Sequence, residues 1–137
     1  MIVTNLLLVA IGGALGTLLR YTVNLLALPT GYPIGTLIEN IIGSFLLGLL
    51  SALFILYGKR EWLRLSAGVG FCGGFTTMST FAADTYLLLV INQPFLALLY
   101  GIVTVVGGLG SAFAGFYIVR TGLEKKNDKK SMEFSQE

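Results

Sequence analysis

The stretch Gly68-Val69-Gly70-Phe71-Cys72-Gly73-Gly74-Phe75-Thr76-Thr77-Met78-Ser79-Thr80-Phe81 decides how this chain is built. Four glycines precede four hydroxyl residues, inside an otherwise apolar run from about Leu65 to Ile91. Glycine is among the poorest residues for a helix interior, so the run predicts a helix that breaks near its middle. Its length predicts a membrane crossing, since a bilayer core about 30 Å thick takes roughly 20 residues at about 1.5 Å each. A break at that depth frees backbone carbonyls, which must be buried in protein, bound to a cation or facing water. Irregular backbone in mid-membrane is how discontinuous transporter helices build their sites.

Three further apolar runs flank this one: Asn5 to Leu28, Ile34 to Tyr57 and Pro94 to Val119. Short turns rich in proline, glycine and polar residues separate them, at 29–33, 58–61 and 92–94. The reading is an all-α membrane protein with four transmembrane helices, the third of them broken. Residues 1–120 form the transmembrane domain and 121–137 a polar, solvated, partly disordered tail. The first run lacks the charged n-region of a signal peptide and is too long for an h-region, so it is read as a retained span.

Composition agrees. The 137 residues are 55% hydrophobic and 12% charged, with no histidine and one cysteine. Soluble domains carry about 25% charged residues, and mean hydropathy here is +0.82. These values exclude a soluble enzyme, an intrachain disulfide and histidine acid/base chemistry. Ser79 and Thr80 have no histidine to activate them, and Cys72 sits among apolar residues and glycines. No basic patch interrupts the apolar runs, so nucleic acid is not expected as a partner.

Charge placement predicts orientation. Lys59, Arg60, Arg64, Arg120, Lys125, Lys126, Lys129 and Lys130 fall on the side shared by both termini and the middle turn, eight of the nine basic residues. By the positive-inside rule both termini are cytoplasmic. Three charges lie within the spans: Arg20, Glu39 and Asp84. Each costs about 2.5–3.5 kcal/mol at mid-bilayer on insertion scales, so each needs a reason. Snorkelling toward a helix end serves for Arg20 and Asp84, and Glu39, a few residues into its span, reaches headgroups or a wet vestibule. Small and polar residues recur every four positions: Gly12, Gly16, Arg20 and Asn24; Thr36, Asn40, Ser44 and Gly48; Tyr100, Thr104, Gly108 and Ala112. Such spacing stacks side chains on one face, for close helix packing or for a hydrated path.

These motifs resemble those of the Fluc (CrcB) fluoride channels. Gly12-Gly13-Ala14-Leu15-Gly16 with Arg20-Tyr21 resembles the family's first-span motif. The segment from Gly35-Thr36-Leu37 through Asn40 to Gly43-Ser44-Phe45 resembles GTLxxNxxGSF. The third-span stretch resembles GFCGGxTTFSTF. The resemblance implies a small bacterial inner-membrane protein that pairs antiparallel with a second subunit in a dual-topology-type dimer. Two fluoride pores run along the interface and export fluoride passively. It also implies a structural sodium ion (Na+) at the dimer centre, held by the backbone carbonyls of Gly73 and Thr76. Asn40 becomes a pore hydrogen-bond donor, Ser79, Thr80, Tyr100 and Thr104 further polar wall, and Arg20 a vestibule residue. Phe81 matches the second of two pore phenylalanines. Met78 stands where the first is expected, and Glu39 where the family is usually apolar.

Two alternatives stay open beside the channel. One is a non-conducting or partly conducting subunit of a heterodimeric channel, suggested by Met78 and Glu39. The other is a small proton-coupled drug antiporter, disfavoured because the first span has no carboxylate. The lopsided charge leaves either a homodimer or an oppositely oriented paralogue as the partner.

Overall fold

A computed structural model describes the backbone of residues 2–57 and 61–134, and the side chains of all of these except 57 and 123–134. Among the described residues the fold is all-helical. Helix α1 spans Ile2–Ala27 and ends in a 3₁₀ turn, Leu28–Thr30, closed by Gly31 at φ 69°. Glycine occupies that left-handed conformation without steric cost. Helix α2 spans Ile34–Tyr57. Then come a short α3 (Glu61–Leu63), a nine-residue π-helix (Arg64–Cys72) and a short α4 (Gly73–Phe75). Helix α5 spans Met78–Val90 and α6 spans Pro94–Phe134.

The α5–α6 turn follows from its residues. Asn92 takes φ 61°, a conformation asparagine tolerates better than most. Its N–H bonds to Leu89 O at 3.0 Å, and the Gln93 N–H reaches Leu88 O at 2.9 Å. This pair of bonds is a Schellman ending, and Pro94 then opens α6 at a position where proline's missing N–H is harmless.

Three helices are long and apolar enough to cross a bilayer on their own: Ile2–Thr30, Ile34–Leu56 and Pro94–Gly122. Residues 61–90 are divided among shorter helices, so none of these meets that length by itself. Helix α6 continues past Val119 into the polar tail, whose Glu and Lys residues are good helix formers. Of the eight clustered basic residues, Lys59 and Arg60 and the side chains of Lys125, Lys126, Lys129 and Lys130 lie outside the described residues; Arg64 and Arg120 are exposed.

Packing rests on backbones in near contact. Helix α1 lies on the π-helix and α4, and α2 lies on α6. A Cβ on Gly12 would collide with the Ser66 carbonyl, and one on Gly16 with the Phe71 carbonyl. From the other side, Gly74 faces the Gly13 backbone. Across the α2–α6 contact, Gly48 meets Ala112 and Gly115 meets Phe45. In lipid, where apolar side chains gain little by leaving their solvent, such close approach is what helix association draws on. Many large side chains, from Ile2 on α1 to Phe113 on α6, are exposed on the outer surface, as a lipid-facing wall requires.

Candidate functional site

Helical conformation stops at Phe75. Thr76 has φ −77° and ψ 156°, and Thr77 has φ −149° and ψ 129°, both extended. Helix α5 starts anew at Met78, with Thr77 as its N-cap. The Thr77 hydroxyl accepts the Thr80 N–H at 3.2 Å and donates to Thr80 Oγ1 at 3.0 Å. Such a cap is worth about 1 kcal/mol.

Asn40 of α2 closes the break. Its Nδ2 donates to Thr77 O at 3.0 Å, and its Oδ1 accepts the Thr77 N–H at 2.8 Å. One side-chain amide thus pairs with both backbone groups of a residue that has left the helix, as a neighbouring strand would. Gly43, one turn along α2, leaves room for the Thr76 methyl, which any Cβ there would strike. The spacing Asn40-x-x-Gly43-Ser44 therefore presents a pairing group, a gap and a hydroxyl to the same feature.

This pairing has a consequence for the carbonyls. In a continuous α-helix the Thr77 N–H would bond Gly73 O and the Thr80 N–H would bond Thr76 O. Here the first goes to Asn40 Oδ1 and the second to Thr77 Oγ1. The Gly73 and Thr76 carbonyl oxygens are left without their helical donors. Thr76 itself turns back, its N–H and Oγ1 both 2.9 Å from Cys72 O.

Two surface grooves meet at this break. The first, 370 Å³, is lined by Asn40, Ser44, Thr76, Thr77, Met78, Phe81, Thr104 and apolar residues of α6. The second, 490 Å³, runs past Ser51, Arg64, Cys72, Gly73 and Thr76. They share Leu47 and Thr76. Of the residues singled out from sequence, Asn40, Met78, Phe81 and Thr104 line the first groove, Thr76 lines both and Gly73 lines the second. Met78 is 74% exposed. Ser79 is exposed and Thr80 half-buried, and neither lines a groove described here. The Thr104 hydroxyl donates to Tyr100 O at 2.7 Å.

Tyr100 lies deeper, at 7% exposure. Its hydroxyl donates to Asp84 Oδ2 at 3.1 Å, and its ring packs on Phe81 with centroids 5.3 Å apart and tilted 32°. The Asp84 carboxylate is therefore held by a phenol from α6 instead of reaching for the membrane surface alone. Glu39 corrects its expectation more sharply. It is 0% exposed, and its Oε1 accepts Asn24 Nδ2 at 2.8 Å. The α1–α2 contact encloses it, so it reaches neither headgroups nor a vestibule. Arg20, one turn before Asn24, is half-buried and within electrostatic reach of Glu39.

Thr77 is the residue of this candidate site that sequence reading passed over. A signal existed: a hydroxyl residue directly before a new helical run, with a second one three residues on, is the pattern of an N-cap.

Residues 7–116 match the family described as CrcB-like protein, Camphor Resistance (CrcB). A protein of Halalkalibacterium halodurans named fluoride-specific ion channel FluC 2 is 50% identical over 116 residues, covering 85% of this chain and 86% of that protein. Another of the same name from Bacillus subtilis is 47% identical over 112 residues, covering 82% and 85%. The fluoride-specific ion channel FluC of Leptospira interrogans is 43% identical over 122 residues, covering 85% and 94%.

Proposed function

The chain belongs to the CrcB-like family, and from that membership we propose that it is a fluoride-specific ion channel, passively letting fluoride out of the cell. It is a multi-pass membrane protein, and a channel is not a class of enzyme. The observation that carries the reading is the Thr76–Thr77 break, paired by Asn40 and flanked by a groove that holds Met78, Phe81 and Thr104. A pore for a small, strongly hydrated anion must offer donors in place of water yet release the ion. After pairing Thr77, the Asn40 amide keeps one N–H available toward the groove. Phe81, braced by Tyr100, offers a ring edge, the positive part of its quadrupole. Fluoride-electrode efflux from proteoliposomes tests this, with chloride as control. Fluoride flux without a proton gradient, from the chain alone or co-expressed with a homologous chain of opposite charge bias, supports a channel, and no fluoride flux from either preparation overturns it.

In this reading the π-helix, α4 and α5 join across the break into one further crossing, third in chain order, and the grooved face is covered by a second, antiparallel subunit. The resemblance to the family adds a sodium ion at the dimer centre. The residues present fit it: the Gly73 and Thr76 carbonyls lack their helical donors and border a groove, and carbonyl oxygen suits a hard cation. When bound, the ion supplies positive charge to carbonyls that the break leaves without their helical donors. The chain's own part is to hold those carbonyls in place, through the Asn40 and Thr77 bonds. The channel sits in the bacterial inner membrane with its termini in the cytoplasm, as the clustered basic residues favour.

A partner in the opposite orientation inserts most readily when it carries the opposite charge bias. The bias of this chain favours a homologous but oppositely biased chain over a second copy of itself. Purified alone, the chain is then expected to give little fluoride efflux, and efflux is expected to appear on co-expression with such a partner. Full efflux from the chain by itself would establish the homodimer.

Met78 favours one qualification: throughput is limited where the groove lacks a ring edge. Met78→Phe is expected to raise fluoride efflux about two- to tenfold, the rate equivalent of about 0.5–1.5 kcal/mol for an aromatic contact. Equal efflux from the two proteins would remove Met78 from the pathway.

A further inference from the structure

Glu39 is a buried acid whose hydrogen bonding is half complete. Oε1 accepts from Asn24, while Oε2 is buried with no hydrogen-bond partner. A carboxylate normally fills both oxygens, and a buried charge persists only when it is compensated. Among the described residues, the charged and titratable groups within reach come from three other helices: Arg20 of α1, Asp84 of α5 and Tyr100 of α6. Asp84 already has the Tyr100 hydroxyl at 3.1 Å, and the buried Thr36 lies beside the same phenol. Counted formally, one guanidinium faces two carboxylates, which leaves a surplus of one negative charge. Glu39 is 0% exposed within a single chain, so whatever compensates it must be small.

We propose that Glu39 Oε2 seats a single small positive charge, a proton or a sodium-sized cation, that cancels the surplus negative charge of Arg20, Glu39 and Asp84. This seat is separate from the Gly73 and Thr76 carbonyls, and nothing in it depends on those residues. The site goes beyond the channel reading and explains how that reading tolerates Glu39. The residue precedes Asn40 in sequence, where an uncompensated negative charge would repel an anion. With the positive charge seated, the cluster is neutral and the Asn40 amide is free to act on fluoride.

The test uses the purified full chain in detergent and needs no flux, so its failure is distinct from a failure of the channel reading. Infrared spectra of wild type and Glu39→Gln report a protonated carboxyl directly. Melting temperatures of the two proteins, titrated with sodium against an organic cation at constant ionic strength, report a seated sodium ion. A carboxylic-acid band present in wild type and lost in Glu39→Gln assigns the proton. Absence of that band, with a sodium-dependent rise in melting temperature that is smaller in Glu39→Gln, assigns sodium; a response of the central carbonyls would remain in both proteins. No band and identical sodium titrations overturn the proposal. If Glu39→Gln fails to fold, Glu39→Asp replaces it, keeping the charge but withdrawing both oxygens by one methylene. Its band is expected to shift or its sodium midpoint to move by about threefold or more, against an expected equality if the seat does not exist.

Discussion

Asn40→Ala is expected to abolish fluoride efflux and to destabilise the protein as well. The substitution removes both partners of Thr77, its N–H at 2.8 Å and its carbonyl at 3.0 Å. Each half-buried backbone group left unpaired costs about 1–3 kcal/mol, so about 2–6 kcal/mol is at stake. That is a large part of a typical folding free energy of about 5–15 kcal/mol. Asn40→Asp separates the two effects. It keeps the acceptor for the Thr77 N–H, loses the donor to the Thr77 carbonyl and adds negative charge beside the groove. Its melting temperature is expected between those of wild type and Asn40→Ala, while its efflux falls as far as that of Asn40→Ala. Efflux near wild type for either variant would take Asn40 out of the pathway.

The second large effect is expected far from the break. Gly12→Ala places a methyl group against the Ser66 carbonyl and within 3.0 Å of the Phe71 nitrogen. Both obstacles are backbone, so no rotamer change relieves them and α1 must move off the π-helix. A loss of about 3 kcal/mol is expected, at the upper end for overpacking. It should be read as a fall in the yield of folded protein and in melting temperature. Gly110→Ala is the matched control, because nothing lies near its Cβ. Helix propensity alone would make both substitutions favourable by up to about 1 kcal/mol, so opposite outcomes isolate the packing term. Equal stability of the two variants would disprove the close α1 contact.

Several elements were legible in the sequence for reasons that are local. Ile34 and Tyr57 bound both the second apolar run and α2, and Pro94 opens both the fourth run and α6, because proline and the turn residues act within a few positions. The glycine-then-hydroxyl composition of 68–81 pointed to an interruption, and the backbone leaves helical conformation at Thr76 and Thr77. What composition did not indicate is that the interruption follows the glycines instead of falling among them. Gly73 and Gly74 remain helical, and the extended residues are the two threonines, since these are the ones Asn40 and the N-cap can satisfy. The partnership of Asn40 with Thr77 joins residues 37 apart in sequence, and no periodicity encodes such a pairing. Glu39 was misplaced for a related reason. Position along a span suggested the membrane surface, but exposure is decided by which neighbour covers the residue, and Asn24 on α1 covers this one. The π-helix left no trace in composition at all.

The π-helix also bears on how such chains diverge in length. Its wider coil holds one more residue per turn than an α-helix would, with hydrogen bonds running to the fifth residue along. Losing a single residue between Arg64 and Cys72 would let the segment tighten toward an ordinary α-helix, and the tightening would offset much of the rotation lost with the residue. Gly74 would stay near Gly13, and Thr77 near Asn40. The same deletion inside α5, which is already wound as an α-helix, would turn everything after it by about 100°. Alignments of related chains should therefore tolerate a change of length in the π-helix more readily than in α5.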